Sequence, residues 1–287
     1  MGELMFTKMQ GLGNNYVVFD QLGHSANILP ENDYPELARR VSDMSFGIGS
    51  DGIILIGASE QADFKMRIFN KDGSEAKNCG NGLRCVAKFL YDNQYPKDPR
   101  FSIETLGGVV TVDVTVNHHN QAAYVTVDMG KPRLAKKMIP MQGDPDETAV
   151  KEVYTFGDKS YQLTCLSMGN PHAIIFVDDV DKVPLETIGP IIEHSSLFPE
   201  RVNIGVVHVK NQQEINYRVW ERGSGITMAC GTGACASVAA AALNNLLNTT
   251  QPTLVHLPGG DLTIELADNG HILMQGKACY ICHGELA

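Results

Sequence analysis

Two short stretches of this chain could do acid–base chemistry: Cys79-Gly80-Asn81-Gly82 and Cys230-Gly231-Thr232-Gly233. In each, a thiol stands just before two glycines and a run with helical spacing. The first N–H groups of a helix have no partner inside it, and that end of its dipole is positive. A cysteine placed there is expected to ionise more readily than a free thiol. The glycines carry no side chain, so a carboxylate can approach the backbone N–H groups. Each stretch therefore reads as a reactive thiol beside an anion cradle. For either one alone, a buried and inert cysteine is the competing reading.

The two stretches belong to a repeat. Arg67-Ile68-Phe69-Asn70-Lys71 precedes the first and Arg218-Val219-Trp220-Glu221-Arg222 the second, and both pairs are 151 positions apart. Leu106-Gly107-Gly108 and Pro258-Gly259-Gly260 follow at an offset of 152, and Gly13-Asn14 and Gly169-Asn170 match at 156. Three landmarks in the same order predict two copies of one domain of about 150 residues. The thiols would then face each other across the two copies, with an anion held between two helix ends. One thiolate could take a proton from one face of the adjacent carbon while the opposite thiol gives one to the other face. That inverts a stereocentre next to a carboxylate without a metal or pyridoxal cofactor, the helix ends stabilising the carbanion.

The elements that must position these groups are legible in outline. Leu83, Val86, Ala87 and Leu90, and then Cys235, Val238, Ala239, Ala242 and Leu246, recur at helical spacing. After each Gly-Gly, Val110, Val112, Val114 and Val116, and Leu262, Ile264 and Leu266, alternate with polar residues as half-buried strands do. Residues 15–20, 53–56, 64–69, 173–177 and 202–209 also read as strands. The fold class expected is α+β, with two pseudo-symmetric domains of mostly antiparallel sheet. Gly130-Lys131-Pro132 is the expected crossing, which gives domains of 1–130 and 131–276.

Composition narrows the function. The chain has 287 residues, 43% of them apolar, and a formal net charge of −10. That charge argues against nucleic acid and anionic membranes as partners. No apolar run approaches the roughly 18 residues of a membrane span. Met1 to Lys8 has neither a basic start nor an apolar stretch, so a cytoplasmic location is expected. Seven cysteines, an odd number, fit free thiols in a reducing compartment.

On these motifs the chain resembles the diaminopimelate epimerase family along nearly its whole length. The resemblance is carried by Lys8-Met9-Gln10-Gly11-Leu12-Gly13-Asn14, by Phe69-Asn70 through Asp72-Gly73-Ser74-Glu75, and by Asn78-Cys79-Gly80-Asn81-Gly82-Leu83-Arg84-Cys85. It continues in Met168-Gly169-Asn170-Pro171-His172, Glu200-Arg201-Val202-Asn203 and Trp220-Glu221-Arg222-Gly223 through Ala229-Cys230-Gly231-Thr232-Gly233-Ala234-Cys235. It implies a cofactor-free enzyme that interconverts LL- and meso-2,6-diaminopimelate for lysine and peptidoglycan-precursor synthesis, with a homodimer as one arrangement. It also implies that each domain is a sheet or barrel around a central helix, the first completed by a strand near 277–287.

The resemblance assigns roles as well. Cys79 and Cys230 would be the two acid/base groups. Gly80, Asn81, Gly231 and Thr232 would hold the reacting α-carboxylate. Asn70, Asn170, Asn203 and Arg222 would bind the distal amino-acid head, Arg222 by a paired contact with its carboxylate. Asn14 and Glu221 would line the site, and Glu221 and His172 would support catalysis. Without the family, an Asn in a turn is more simply read as satisfying backbone. Two departures stand out: Asp51-Gly52 where many relatives have Asp-Gln, and Gly225-Ile226-Thr227 where Gly-Glu-Thr is common. The C-terminal Cys279-Tyr280-Ile281-Cys282-His283 matches the family poorly.

Other signals are weaker. Gly47-Ile48-Gly49-Ser50-Asp51-Gly52 has the glycine spacing of a dinucleotide loop, but a strand rather than a helix follows it. Cys279 and Cys282 lack a second pair at zinc spacing, and no metal is expected. Cys85, Cys165 and Cys235 read as core. A redox dithiol built on Cys79 and Cys230 is the rival from another class. A proline-racemase-like enzyme is the rival within the isomerases.

Overall fold

The computed structural model describes residues 4–23, 30–77 and 79–286. In chain order its elements begin with β1 (Leu4–Gly11), β2 (Asn14–Asp20), α1 (Tyr34–Ser42), β3 (Gly52–Gly57), β4 (Phe64–Asn70), α2 (Gly80–Asp92), β5 (Arg100–Thr105), β6 (Gly108–Val116) and β7 (Ala122–Asp128). There follow β8 (Ala149–Phe156), β9 (Lys159–Ser167), β10 (Pro171–Phe176), α3 (Leu185–Glu193), β11 (Asn203–Asn211), β12 (Glu214–Glu221), β13 (Gly225–Ile226) and α4 (Gly231–Leu243). The chain closes with β14 (Thr253–Leu257), β15 (Gly260–Leu266), β16 (Ile272–Gly276) and β17 (Cys279–Leu286). Strands dominate and helices are few, an α+β fold. No helix among the described residues is long and apolar enough to cross a membrane.

The chain divides into two units, Met1–Asp128 with Gln275–Ala287, and Met129–Met274. In the first, β17 pairs antiparallel with β1 and β1 with β2. β2 then runs parallel to β3, β3 antiparallel to β4, β4 parallel to β5, and β5, β6 and β7 form antiparallel pairs. The second unit repeats the series: β8–β9 and β9–β10 antiparallel, β10–β11 parallel, β11–β12 antiparallel, β12–β14 parallel and β14–β15 antiparallel. Each parallel pair needs a crossover. The β2–β3 and β10–β11 crossovers carry α1 and α3.

Each unit wraps its sheet around one helix. In the first, α2 lies against β1, β2, β4, β6 and β7; in the second, α4 lies against β9, β10, β11, β12 and β15. The strand period of two sends alternate side chains to opposite faces. Val17, Phe19, Ile53 and Leu55 pack with Tyr34, Leu37 and Val41 of α1 in one core. The other face turns to α2, where Gly82 lies against the Ile54 and Ile68 side chains. In the second unit, Ile175, Ile204 and Val206 pack with Leu185, Ile188 and Ile192 of α3.

Two expectations of pattern fail locally. α4 ends at Leu243, and Asn245 takes a left-handed φ of 57°, so Leu246 lies beyond the helix and is partly exposed. Val116 ends β6 on the solvent side although it continues the alternation, because the pairing with β7 shifts register between Thr115 and Val116.

Candidate functional site

In the first unit Cys79 is the residue that starts α2. It has extended backbone (φ −151°, ψ 107°), and its sulfur accepts a hydrogen bond from the Gly82 N–H at 3.4 Å. The same sulfur lies 3.1 Å from the Tyr16 hydroxyl. Tyr16 is buried, and its phenol is held well above its ordinary 10.0 by burial and by the charges of Cys79 and Asp51. Behind the thiol runs a chain of side chains. The fully buried Arg84 donates to Asn81 Oδ1 at 2.8 Å and to the Gly80 carbonyl at 3.4 Å. Asn81 Nδ2 donates to Asn14 Oδ1 at 2.5 Å, and Asn14 Nδ2 to Asp51 Oδ2 at 3.3 Å. Asp51 also takes the Asn15 N–H at 2.8 Å. Asn14 and Asn81 thus meet, held from both ends. Asn70 is placed differently: it sits opposite Gly52 at the end of β4, and its amide donates to Ser74 Oγ at 3.0 Å.

In the second unit Cys230 starts α4 with the same extended backbone (φ −128°, ψ 106°), Gly231 being the first helical residue. The Thr232 hydroxyl lies 3.5 Å from its sulfur and accepts from Asn170 Nδ2 at 3.2 Å. Asn170 Oδ1 in turn is 3.0 Å from His172 Nε2. An amide oxygen only accepts, so the His172 proton is on Nε2. His172 Nδ1 is buried and has no hydrogen-bond partner among the described residues. His172 therefore reaches Cys230 through two intermediaries. Burial, with the charge of Arg222 adding to it, drops its imidazole to about 3 from its ordinary 6.5, so it is neutral at working pH.

Cys230 departs from the expectation for a helix-start thiol. Burial pushes it well above its ordinary 9.0 and the nearby Glu221 carboxylate pushes it further, while the Thr232 hydroxyl pulls the other way. Desolvation disfavours the thiolate more than the helix end favours it. Glu221 Oε1 accepts from the Thr227 hydroxyl at 2.5 Å. Asn203 is buried and spends its amide on backbone, donating to the Pro171 carbonyl at 2.7 Å and accepting the Arg222 N–H at 2.9 Å. It fixes the turn that carries Arg222, whose Nη1 donates to the Glu200 carbonyl at 3.0 Å.

Tyr16, Asp51, Arg84 and Thr227 receive no role from the sequence. A signal for Tyr16 was present: it stands two residues after Gly13-Asn14, as His172 stands two after Gly169-Asn170. The others join partners far off in the chain or reuse common residue types.

The family profile described as diaminopimelate epimerase matches residues 6–135 and 164–281. The chain belongs to the diaminopimelate epimerase family. It is 51% identical over 284 residues to the diaminopimelate epimerase of Geobacillus thermodenitrificans strain NG80-2, covering 99% of this chain and 97% of that one. It is 49% identical, with the same coverage, to that of Bacillus cytotoxicus. Among solved structures it resembles a phenazine biosynthesis protein of the PhzF family from Bacillus anthracis (TM-score 0.72, 17% identity, 100% of both chains). It also resembles a hydroxyproline epimerase from Agrobacterium vitis (TM-score 0.69, 13% identity, 100% of this chain and 91% of that one). At these identities the structural likeness speaks to fold alone. The diaminopimelate epimerase match reaches residue 281, into β17.

Proposed function

We infer that this chain interconverts LL- and meso-2,6-diaminopimelate, with Cys79 and Cys230 as its two acid/base groups. The observation that carries the assignment is the matched pair of cysteines, each the residue that starts a helix beginning with Gly. In the reaction one sulfur, as thiolate, takes the α-proton and becomes a thiol. The other gives its proton to the opposite face of the same carbon and becomes a thiolate. The carbon is inverted and no proton is gained or lost overall. Burial and Glu221 favour the neutral thiol at Cys230, the form able to give a proton. Backbone N–H groups at Gly80, Asn81, Gly231 and Thr232 are suited to the α-carboxylate, whose charge grows as the proton leaves. Asn14, Asn70 and Asn170 supply hydrogen bonds to the amino-acid heads, and Arg222 supplies a guanidinium for the distal carboxylate. Neutral His172, through Asn170 and Thr232, holds the hydroxyl beside Cys230. Seven free cysteines suit a reducing cytoplasm, and a homodimer is one assembly open to the chain, which light scattering tests.

The test of the assignment is proton NMR in heavy water with LL-diaminopimelate. Growth of the meso isomer, with deuterium at the inverted carbon, is expected from the reduced enzyme. Cys79→Ala and Cys230→Ala should each abolish it. Turnover that survives either substitution would remove that cysteine from the chemistry.

A further inference from the structure

Tyr16 holds a place in its unit that the repeat marks as special. It lies opposite Gly52 on β3, and Gly52 lies opposite Asn70 on β4. In the second unit His172 lies opposite Asn203 on β11, and the β11–β12 register, with Ile204 opposite Trp220, carries Asn203 to the rung of Glu221. Tyr16 and His172 are therefore counterparts, each on a rung that ends, within its own unit, on a residue of the site. The counterparts differ in chemistry. His172 is separated from Cys230 by Asn170 and Thr232. Tyr16 touches the Cys79 sulfur directly at 3.1 Å.

We propose that Tyr16 is a positioning residue for the reaction, its phenol fixing the Cys79 sulfur and donating a hydrogen bond to it whenever the sulfur is ionised. The inference rests on the reading of Cys79 as an acid/base group. Buried and beside Cys79 and Asp51, the phenol keeps its own proton. It therefore offers O–H to a thiolate and an oxygen lone pair to a thiol, following the sulfur through both protonation states. No proton leaves the phenol at any step. With the Gly82 N–H at 3.4 Å, the sulfur is held from two directions. A hydrogen bond from a neutral donor to a charged sulfur favours the charged form, and it limits the directions in which the sulfur can point.

Tyr16→Phe removes one oxygen and keeps the ring that fills the core. Two readouts on the full-length, reduced protein test the proposal. The first is turnover of LL-diaminopimelate: kcat should fall about tenfold with KM within about twofold, because a group that acts through the sulfur alters the chemical step. The second is alkylation by iodoacetamide at pH 7, resolved by peptide mass. Cys79 should react about tenfold more slowly, in step with its thiolate fraction, while the exposed Cys279 and Cys282 react at unchanged rates. Tyr16→His, which puts the other unit's residue at this position, should restore part of the Cys79 reactivity, and it decides the matter if the Phe variant does not fold. Unchanged kcat and unchanged Cys79 alkylation in Tyr16→Phe would overturn the proposal. So would a Tyr16→Phe enzyme that loses turnover while Cys79 alkylation holds, or a His variant no more reactive than the Phe variant. Failure of the underlying reading looks different: Cys79→Ala would then keep its turnover, whatever the alkylation shows.

Discussion

Replacing His172 with Gln isolates the consequence of burying an imidazole. In the folded second unit His172 is neutral down to about pH 3, against an ordinary 6.5, with burial the main cause and Arg222 the second. In the unfolded chain it takes up a proton near 6.5. Between these values the unfolded state binds more protons, so stability rises with pH and is lost on acidification. Above pH 6.5 the imidazole is neutral in both states and adds no pH dependence. Well below it, the loss is about 1.4 kcal/mol per pH unit. At pH 5 the loss relative to pH 8 comes to about 2 kcal/mol from this one group. His172→Gln has no such titration and should lack that part of the acid loss. The remaining carboxylates and histidines titrate in both proteins and cancel in the comparison. The assay is denaturant unfolding at pH 8, 6.5 and 5, followed by the fluorescence of Trp220. It is the one tryptophan of the chain. It belongs to the second unit, where its indole N–H donates to the buried Glu193 at 2.7 Å. It therefore reports on the unit that holds His172. Equal acid losses in the two proteins would show that His172 protonates normally in the fold, and would refute the neutral-imidazole role beside Asn170 and Thr232.

Two further outcomes follow from the geometry around the helix starts and the Arg222 turn. A Cβ on Gly233 would lie 1.9 Å from the Tyr217 hydroxyl, whereas the nearest atom to one on Gly82 would be the Ile54 Cδ1 at 3.2 Å. Gly233→Ala should cost about 2 kcal/mol or more in thermal melts, partly recovered in the Gly233→Ala, Tyr217→Phe double variant, while Gly82→Ala stays within about 1 kcal/mol. Equal losses for the two alanine variants would contradict this packing. Arg222→Ala should weaken diaminopimelate binding by about 2 kcal/mol, roughly 30-fold in Kd by calorimetry, and an unchanged Kd would remove the guanidinium from the binding set.

The contrast between the two thiols shows where reading the sequence runs out. The spacing of Cys79 and Cys230 before Gly-x-Gly places both at helix starts, and both are found there. The spacing also predicts an easily ionised thiol in each case. For Cys230 the opposite holds, because burial and Glu221 act on it. Similarly, the type of Asn203 does not tell that its amide bonds the Pro171 carbonyl and the Arg222 N–H. Asn14 and Asn81 lie 67 positions apart in the chain and meet only because α2 packs beside the β1–β2 turn, with Arg84 and Asp51 at the ends of the chain of bonds.

The sequence alone determined what depends on a few neighbouring residues. It sets the α+β class, one helix and several strands in each repeat, the two cysteine helix starts, and the family. Helix starts, strand alternation and tight turns are set by contacts within about one turn or one hairpin, so local spacing encodes them. The tertiary structure decided what depends on residues brought together from afar. It set the pairing of β17 with β1, the rungs on which Tyr16 and His172 stand in their own units, the touch of phenol on sulfur, and the protonation of Cys230 and His172. Register across a parallel pair is chosen by packing on both faces, and the charge of a buried group by everything that displaces water around it. Neither quantity is carried by any short stretch of the chain.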